Sequence, residues 1–297
     1  MIHRTVLLGV SLGLLSVLLA SCAINPVTGD EELMLFSPED DISLGRKYAP
    51  QVEKELGGRI PDENLQSYVN QVGQRIARVC HRPDLSYRFV AVEEGGANAL
   101  ALPGGYVFIT KGLLKEFKSE AQLAAVLSHE VGHIVARDSL EAMSRQIGMT
   151  ALIAAAHVGS ASSDVARASV FISSFLNLQY SRDDERQADL TGLSYMVQAG
   201  YDPNGMVEVM QVLQQLQTVR PIEFFSTHPN PQNRLAYIEE RIANRYADAE
   251  SLKKGDEDYT RRVLTPLEER KNAARIRSVQ PSHPESGAHG QHGPSTE

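Results

Sequence analysis

Cysteine is scarce, with two in 297 residues, and tryptophan is absent, while glycine (22) and proline (14) stay at ordinary levels. So few thiols exclude a disulfide-stapled fold, and glycine and proline without enrichment exclude collagen-like or low-complexity chains. Positive charge is also short, with 29 Lys and Arg against 37 Asp and Glu and a formal net charge of −8. An acidic chain of this kind is not built to hold nucleic acid or an anionic membrane through a basic patch. Internal repeats are absent. Nor does any apolar run reach the roughly 20 residues that a spanning helix needs. The longest, Val6 to Ala20, follows Arg4 and is broken by serines and glycines, which is the pattern of a signal-peptide core. What is present is 42% hydrophobic residues, enough at this length to bury a sizeable core.

The apolar run ends in Leu19-Ala20-Ser21-Cys22, which resembles the lipobox of bacterial lipoproteins. That resemblance implies that residues 1–21 are a signal peptide and that Cys22 is lipidated. Ala23 in the next position, where Asp marks inner-membrane retention, implies an outer-membrane address. With Cys22 lipidated only Cys80 remains, expected to be a buried small residue without a disulfide partner. Residues 22–37 are expected to form an extended arm after the anchor. Ser37-Pro38-Glu39-Asp40 reads as an N-cap with proline in the first turn, opening a helix to about Leu56. A second helix fits Pro61 to Val79, where Leu65, Val69, Val72 and Ile76 recur at helical spacing. Tyr87 to Val92 and Tyr106 to Thr110 have strand composition. From Ser119 onward the pattern is helical, with breaks near Gly159, at Gly200-Tyr-Asp-Pro203 and at Thr227 to Pro231. The expected fold class is α+β, predominantly helical, with a small β-sheet. Residues 276–297, which carry His283, His289 and His292, have the composition of a disordered tail.

Chemistry concentrates in Ser128-His129-Glu130-Val131-Gly132-His133. Two histidines four apart lie one turn apart on one helical face and can present two imidazoles to one Zn²⁺. Glu130 is turned by about 100° from His129, which puts its carboxylate beside the metal's open position. There it can act as general base toward water. The surrounding helix is apolar on most sides, so these polar groups need partners when buried. A metal provides them.

A catalytic zinc usually takes a third protein ligand. The metzincin arrangement needs glycine at position 136 and histidine at 139, but this chain has Ala136 and Ser139. Glu141 lies roughly 12 Å further along the helix axis at 1.5 Å per residue. The third ligand must therefore come from another element. Of the three acids Asp183, Asp184 and Glu185, Glu185 shares its helical face with Ala188, Gly192 and Met196, a small and apolar inward face. Asp183 faces a mainly wet side and Asp184 is intermediate. Asp189, one turn beyond Glu185, is placed to accept a hydrogen bond from a ligand histidine.

Five segments in order, Asn25-Pro26-Val27-Thr28-Gly29 after the lipobox, Asn98 to Gly105, His129 to His133, Tyr180 to Asp189 and Ser226-Thr227-His228-Pro229, resemble the BepA and LoiP group of periplasmic zinc metallopeptidases. That group lies within the larger gluzincin family that includes the CAAX prenyl proteases. The resemblance implies a zincin-type domain over residues 38–275, one Zn²⁺ on His129, His133 and Glu185, and Glu130 as base. It implies that Asn98, Ala99 and Leu100 belong to the strand on which substrate peptide is laid out. His228 is implied either to act in catalysis or to plug the zinc, and Arg234 is implied to act beside it. The tetratricopeptide array of the longer members has no counterpart after Arg241, so a short single-domain form is expected.

The implied function is a zinc-dependent endopeptidase of the periplasm, lipid-anchored to the outer membrane. It would hydrolyse unfolded or misassembled outer-membrane proteins in envelope quality control. The competing reading is a lipid-anchored chaperone or assembly factor whose protease activity is latent behind His228. The partners implied are unfolded polypeptide, the membrane through the N-terminal lipid, and outer-membrane assembly machinery, with no nucleic acid. His157 is assigned no role.

Overall fold

The computed structural model describes residues 22–154, 175–219, 221–229 and 233–279. The signal segment, His157 and the three tail histidines lie outside the described residues. Helices pack around a small three-stranded sheet, with a separate two-stranded hairpin at the start of the described chain, the predominantly helical α+β architecture that the patterning predicts. No helix among the described residues is long and apolar enough to cross a membrane.

The N-terminal arm departs from the extended form expected of it. Strands β1 (Cys22–Ile24) and β2 (Glu31–Leu33) pair antiparallel as a hairpin. The cause is Asn25, whose Oδ1 accepts from the Val27 N–H at 2.8 Å and whose amide donates to Glu32 at 2.8 Å, closing the turn. Helix α1 (Pro38–Glu55) starts where expected, because Ser37 and Asp40 form a reciprocal capping box. Helix α2 (Glu63–Ala77) begins two residues later than Pro61, since the Asp62 carboxylate accepts the Asn64 and Leu65 N–H groups and sets the cap there.

Strands β3 (Arg88–Val92), β4 (Ala99–Leu102) and β5 (Tyr106–Thr110) form the sheet in the order β3-β5-β4, with β3 parallel and β4 antiparallel to β5. Period-two alternation divides its faces. Phe89, Ala91, Ala99, Ala101, Val107 and Ile109 turn into the main core, which they share with α2 and with α3 (Glu120–Ala136). Val92, Leu100, Leu102 and Phe108 turn the other way, onto Tyr48, Val52 and Leu56 of the α1 region. The outer edge of β3 is closed by amide side chains at every fourth position of α2. Gln66 exchanges hydrogen bonds with both main-chain groups of Ala91, Asn70 accepts from Phe89 N–H, and Gln74 donates to Tyr87 O. At the β4 edge the Asn98 carbonyl accepts the Thr110 N–H, so antiparallel alternation turns the main-chain groups of Ala99 and Ala101 outward.

Helix α3 is buried along its whole length. It ends at Arg137, which takes a left-handed conformation (φ 65°), and α4 (Asp138–Ala154) sets off in a new direction. The strained residue is held by its own side chain, which donates to the carbonyls of Phe36 and Ser37 and lies against buried Asp41. Helix α5 (Arg182–Gln198), capped by Ser181 and Asp184, crosses α3 at close range. Glycines make the approach possible: a Cβ on Gly192 would stand 2.9 Å from the His129 backbone nitrogen, and one on Gly132 would stand 3.1 Å from Ala188 Cα. Helices α6 (Asn204–Val219), α7 (Arg234–Arg245) and α8 (Thr265–Val279) complete the described chain. Helix α8 continues past residue 275, where a disordered tail was expected to begin. Its Glu, Arg, Lys and Ala residues are strong helix formers, and Arg270 bonds back to Glu93 and Pro61.

Candidate metal centre

Spacing on α3 and the close crossing with α5 decide the site's geometry. The i, i+4 relation brings His133 Nε2 to 3.1 Å from His129 Nε2. Across the glycine contact, Glu185 Oε1 lies 3.4 Å from His133 Nε2, and Oε2 lies 3.6 Å from His129 Nε2. His228 ends a single helical turn at Phe224–Thr227, with its Nδ1 2.7 Å from Glu185 Oε1 and 3.3 Å from His129 Nε2. One donor atom from each of these four buried residues lies within 4.8 Å of the other three.

Both α3 histidines are oriented from behind. Asp189 Oδ1 stands 3.0 Å from His129 Nδ1, and Asp138 Oδ2 stands 2.6 Å from His133 Nδ1. A proton held on each Nδ1 leaves the Nε2 lone pair facing the cluster. Arg234, only 2% exposed, donates to Asp189 at 2.6 Å and lies 3.0 Å from Glu185 Oε2, while the Tyr237 hydroxyl donates to the second Asp189 oxygen. The rings are also clamped: Tyr180 stacks on His133 at 3.9 Å between centroids, and Phe224 on His228 at 4.5 Å.

Burial depresses the pKa of His129 and His228, which favours the neutral, ligating imidazole. Burial acts the opposite way on Glu185, yet the surrounding His228 and His129 outweigh it and hold this carboxyl well below the usual range. Asp189 is lowered too, burial being outweighed by Arg234. Burial also opposes charge on His133, but its bonds to Asp138 and Glu185 raise it to about 10, while burial lifts Asp138 to about 7.

Glu130 stands apart from these pairings. Its carboxyl is fully buried, neither oxygen has a hydrogen-bond partner, and burial raises its pKa. The nearest ionisable contact is His228 Nε2, 3.6 Å from Oε1. An orphaned carboxylate costs several kcal/mol in a dry interior. Beside four convergent N and O donors, it fits a site completed by a divalent cation and a water. Three nitrogens and a carboxylate form the borderline-soft set that suits zinc.

His129, Glu130, His133, Glu185 and His228 therefore meet at one point, with Asp189 and Arg234 behind them. Arg234, expected among the catalytic groups, faces the carboxylates of Glu185 and Asp189 and does not line the adjoining cavity. That cavity, about 340 Å³, takes in His228, Asn98 and Leu100. Ala99 turns its side chain into the main core, because odd positions of β4 face α3, and keeps its main-chain groups toward the open β4 edge. Cys22 is exposed at the start of β1. Sequence reasoning did not single out Asp138, Tyr237 or the stacking ring of Tyr180.

A helical α+β domain whose buried helix presents a His-Glu-x-x-His face to a carboxylate from a second helix defines a zincin-like metallopeptidase. The model of peptidase family M48 matches residues 63–242, and the chain belongs to that family. M48 metalloproteases use zinc. The mitochondrial metalloendopeptidase OMA1 of Schizosaccharomyces pombe is 35% identical over 214 residues, covering 68% of this chain and 62% of that protein. OMA1 of Arabidopsis thaliana is 32% identical, covering 59% and 36%. The beta-barrel assembly-enhancing protease of Escherichia coli, BepA, is 27% identical, covering 62% and 40%. The chain thus spans between 36% and 62% of the length of these relatives.

Proposed function

We propose that this protein is a zinc-dependent endopeptidase of the bacterial envelope. The observation that carries the reading is the convergence of four donor atoms beside the unpartnered carboxyl of Glu130. His129, His133 and Glu185 hold the zinc. When bound, zinc acts as a Lewis acid toward a scissile carbonyl and lowers the pKa of a water. Glu130, with its unpartnered carboxylate beside the cluster, would take a proton from the attacking water and return it to the leaving amine. Asp189 and Asp138 keep the imidazoles in the ligating tautomer, and Arg234 holds Asp189 and Glu185 in place as a positioning residue. Substrate peptide adds along the β4 edge, where main-chain groups recognise an extended backbone and Asn98 and Leu100 meet its side chains. Unfolded polypeptide is the substrate class.

Anchoring through a lipid on Cys22 would hold the protein at the outer membrane, facing the periplasm, with residues 38–275 as its catalytic domain. The likeness to a beta-barrel assembly-enhancing protease supports unfolded or misassembled outer-membrane proteins as substrates, and the assembly machinery as a partner. A second reading is supported by His228, which is 1% exposed and inserted among the ligands. In that reading His228 occupies the fourth position and the resting protein is a lipid-anchored chaperone with latent activity.

Digestion of casein by the purified mature chain, with and without chelator, tests both. The endopeptidase reading expects cleavage that is lost on chelation and in Glu130→Gln while zinc stays near one per chain. Cleavage that appears only in His228→Ala supports the latent form. A chain that cuts nothing in either state, with zinc bound, refutes the endopeptidase.

A further inference from the structure

The cavity beside the cluster has an apolar wall that includes Leu100, Phe175 and Leu178, and three carboxylates: Glu55, Glu94 and Glu223. Among the described residues no Lys or Arg lines it, and its one histidine is the buried His228. Two of the acids converge on one turn. Glu94 Oε1 accepts the Gly96 N–H at 3.0 Å, and a Cβ placed on that same glycine would stand 3.0 Å from Glu223 Oε2. No ion pair to Glu55, Glu94 or Glu223 exists among the described residues. Glu93, one residue away, does have cation partners, in Lys111 and Arg270.

A second observation is independent of charge. Asn98, 8% exposed, lines the same cavity, and its buried Oδ1 has no hydrogen-bond partner. A buried acceptor left unpaired is costly, and a ligand bearing N–H groups removes that cost. Like charges converging beside an apolar wall focus a negative potential into the cavity. The ligand that answers both features carries N–H donors, a long apolar stem and a cationic head.

We propose that this cavity is a specificity subsite for a Lys or Arg side chain of the peptide substrate. The stem lies on the apolar wall while the ammonium or guanidinium reaches Glu94 and Glu223. The proposal rests on the peptidase reading, and it adds a preference for basic residues in the polypeptide that is cut.

The test uses the zinc-loaded mature chain and fluorogenic peptides identical except for Lys or Gln at one position, walked along the sequence. At one position the Lys peptide is expected to exceed its Gln twin about tenfold in kcat/KM, roughly the effect of a near-surface charge pair, and the ratio should shrink as salt rises. In the Glu94→Gln, Glu223→Gln double variant the ratio should fall toward one. Glu223→Lys, at an exposed position, should shift the preference toward a Glu-bearing peptide. Binding of the same peptides to Glu130→Gln, read by fluorescence polarisation, should give the same order without turnover. A wild-type ratio near one at every position, or a ratio unchanged in the double variant, overturns the subsite even if the peptides are cut. Preferential binding without cleavage keeps the subsite and removes the peptidase reading; neither binding nor cleavage removes both.

Discussion

Asp138 offers the sharpest test of how the metal site is built. Its Oδ2 lies 2.6 Å from His133 Nδ1, and the residue is 4% exposed, so water cannot replace the bond. Hydrogen bonds involving charged partners contribute about 1.5–3 kcal/mol. At 1.4 kcal/mol per factor of ten, that is about 10- to 100-fold in metal affinity, the range typical of losing a carboxylate partner behind a ligating histidine. Asp138→Asn keeps an acceptor and loses only the charge, so its zinc Kd should rise about tenfold. Asp138→Ala also leaves the Nδ1 proton unpaired in a dry site, so its Kd should rise about 100-fold. Competition against a chromophoric chelator at neutral pH measures both, with the melting temperature of the metal-free protein as control for the helix corner. If zinc Kd stays within twofold of wild type in both variants, Asp138 does not orient His133 and the reasoning fails.

Other consequences are open to direct measurement. Gly192→Ala drives a Cβ to 2.9 Å from the α3 backbone. It should cost about 1–3 kcal/mol and lower zinc content with Tm, whereas Gly95→Ala, with nothing within 4 Å, should change neither. Removing the guanidinium in Arg234→Ala strands two buried carboxylates and should cost about 3–5 kcal/mol in folding stability. A normal Tm with only kcat lost would instead make Arg234 a catalytic group. Burial raises the Glu130 carboxyl above the ordinary 4.5, and only its ionised form accepts a proton. As pH falls, kcat/KM should therefore be lost through a midpoint above 4.5, and full activity persisting at that pH would refute the assignment of Glu130 as base.

Much of the site could be located from sequence because local periodicity carries it. Two histidines four apart on an apolar helix share a face whatever surrounds them, and Ala188 and Gly192 mark the side of α5 that approaches α3. Asp138 escaped because its reach depends on the left-handed turn at Arg137. Propensity gives no hint of that turn, which is held by contacts with Phe36, Ser37 and Asp41, a hundred residues away. The hairpin of residues 22–33 escaped for a similar reason: one asparagine side chain makes the turn, and nothing in the alternation of so short a segment announces it. The strands and the capped helix starts needed only local chemistry, and they fall within two residues of expectation.

The amide ladder from Gln66, Asn70 and Gln74 leaves the sheet, among the described residues, with a single vacancy for a guest strand. If its substrates are unfolded chains, as proposed, it would meet many sticky, half-formed strands, and an unguarded far side would enrol it in their aggregates. Sealing that flank would confine every such encounter to the border beside the metal cluster.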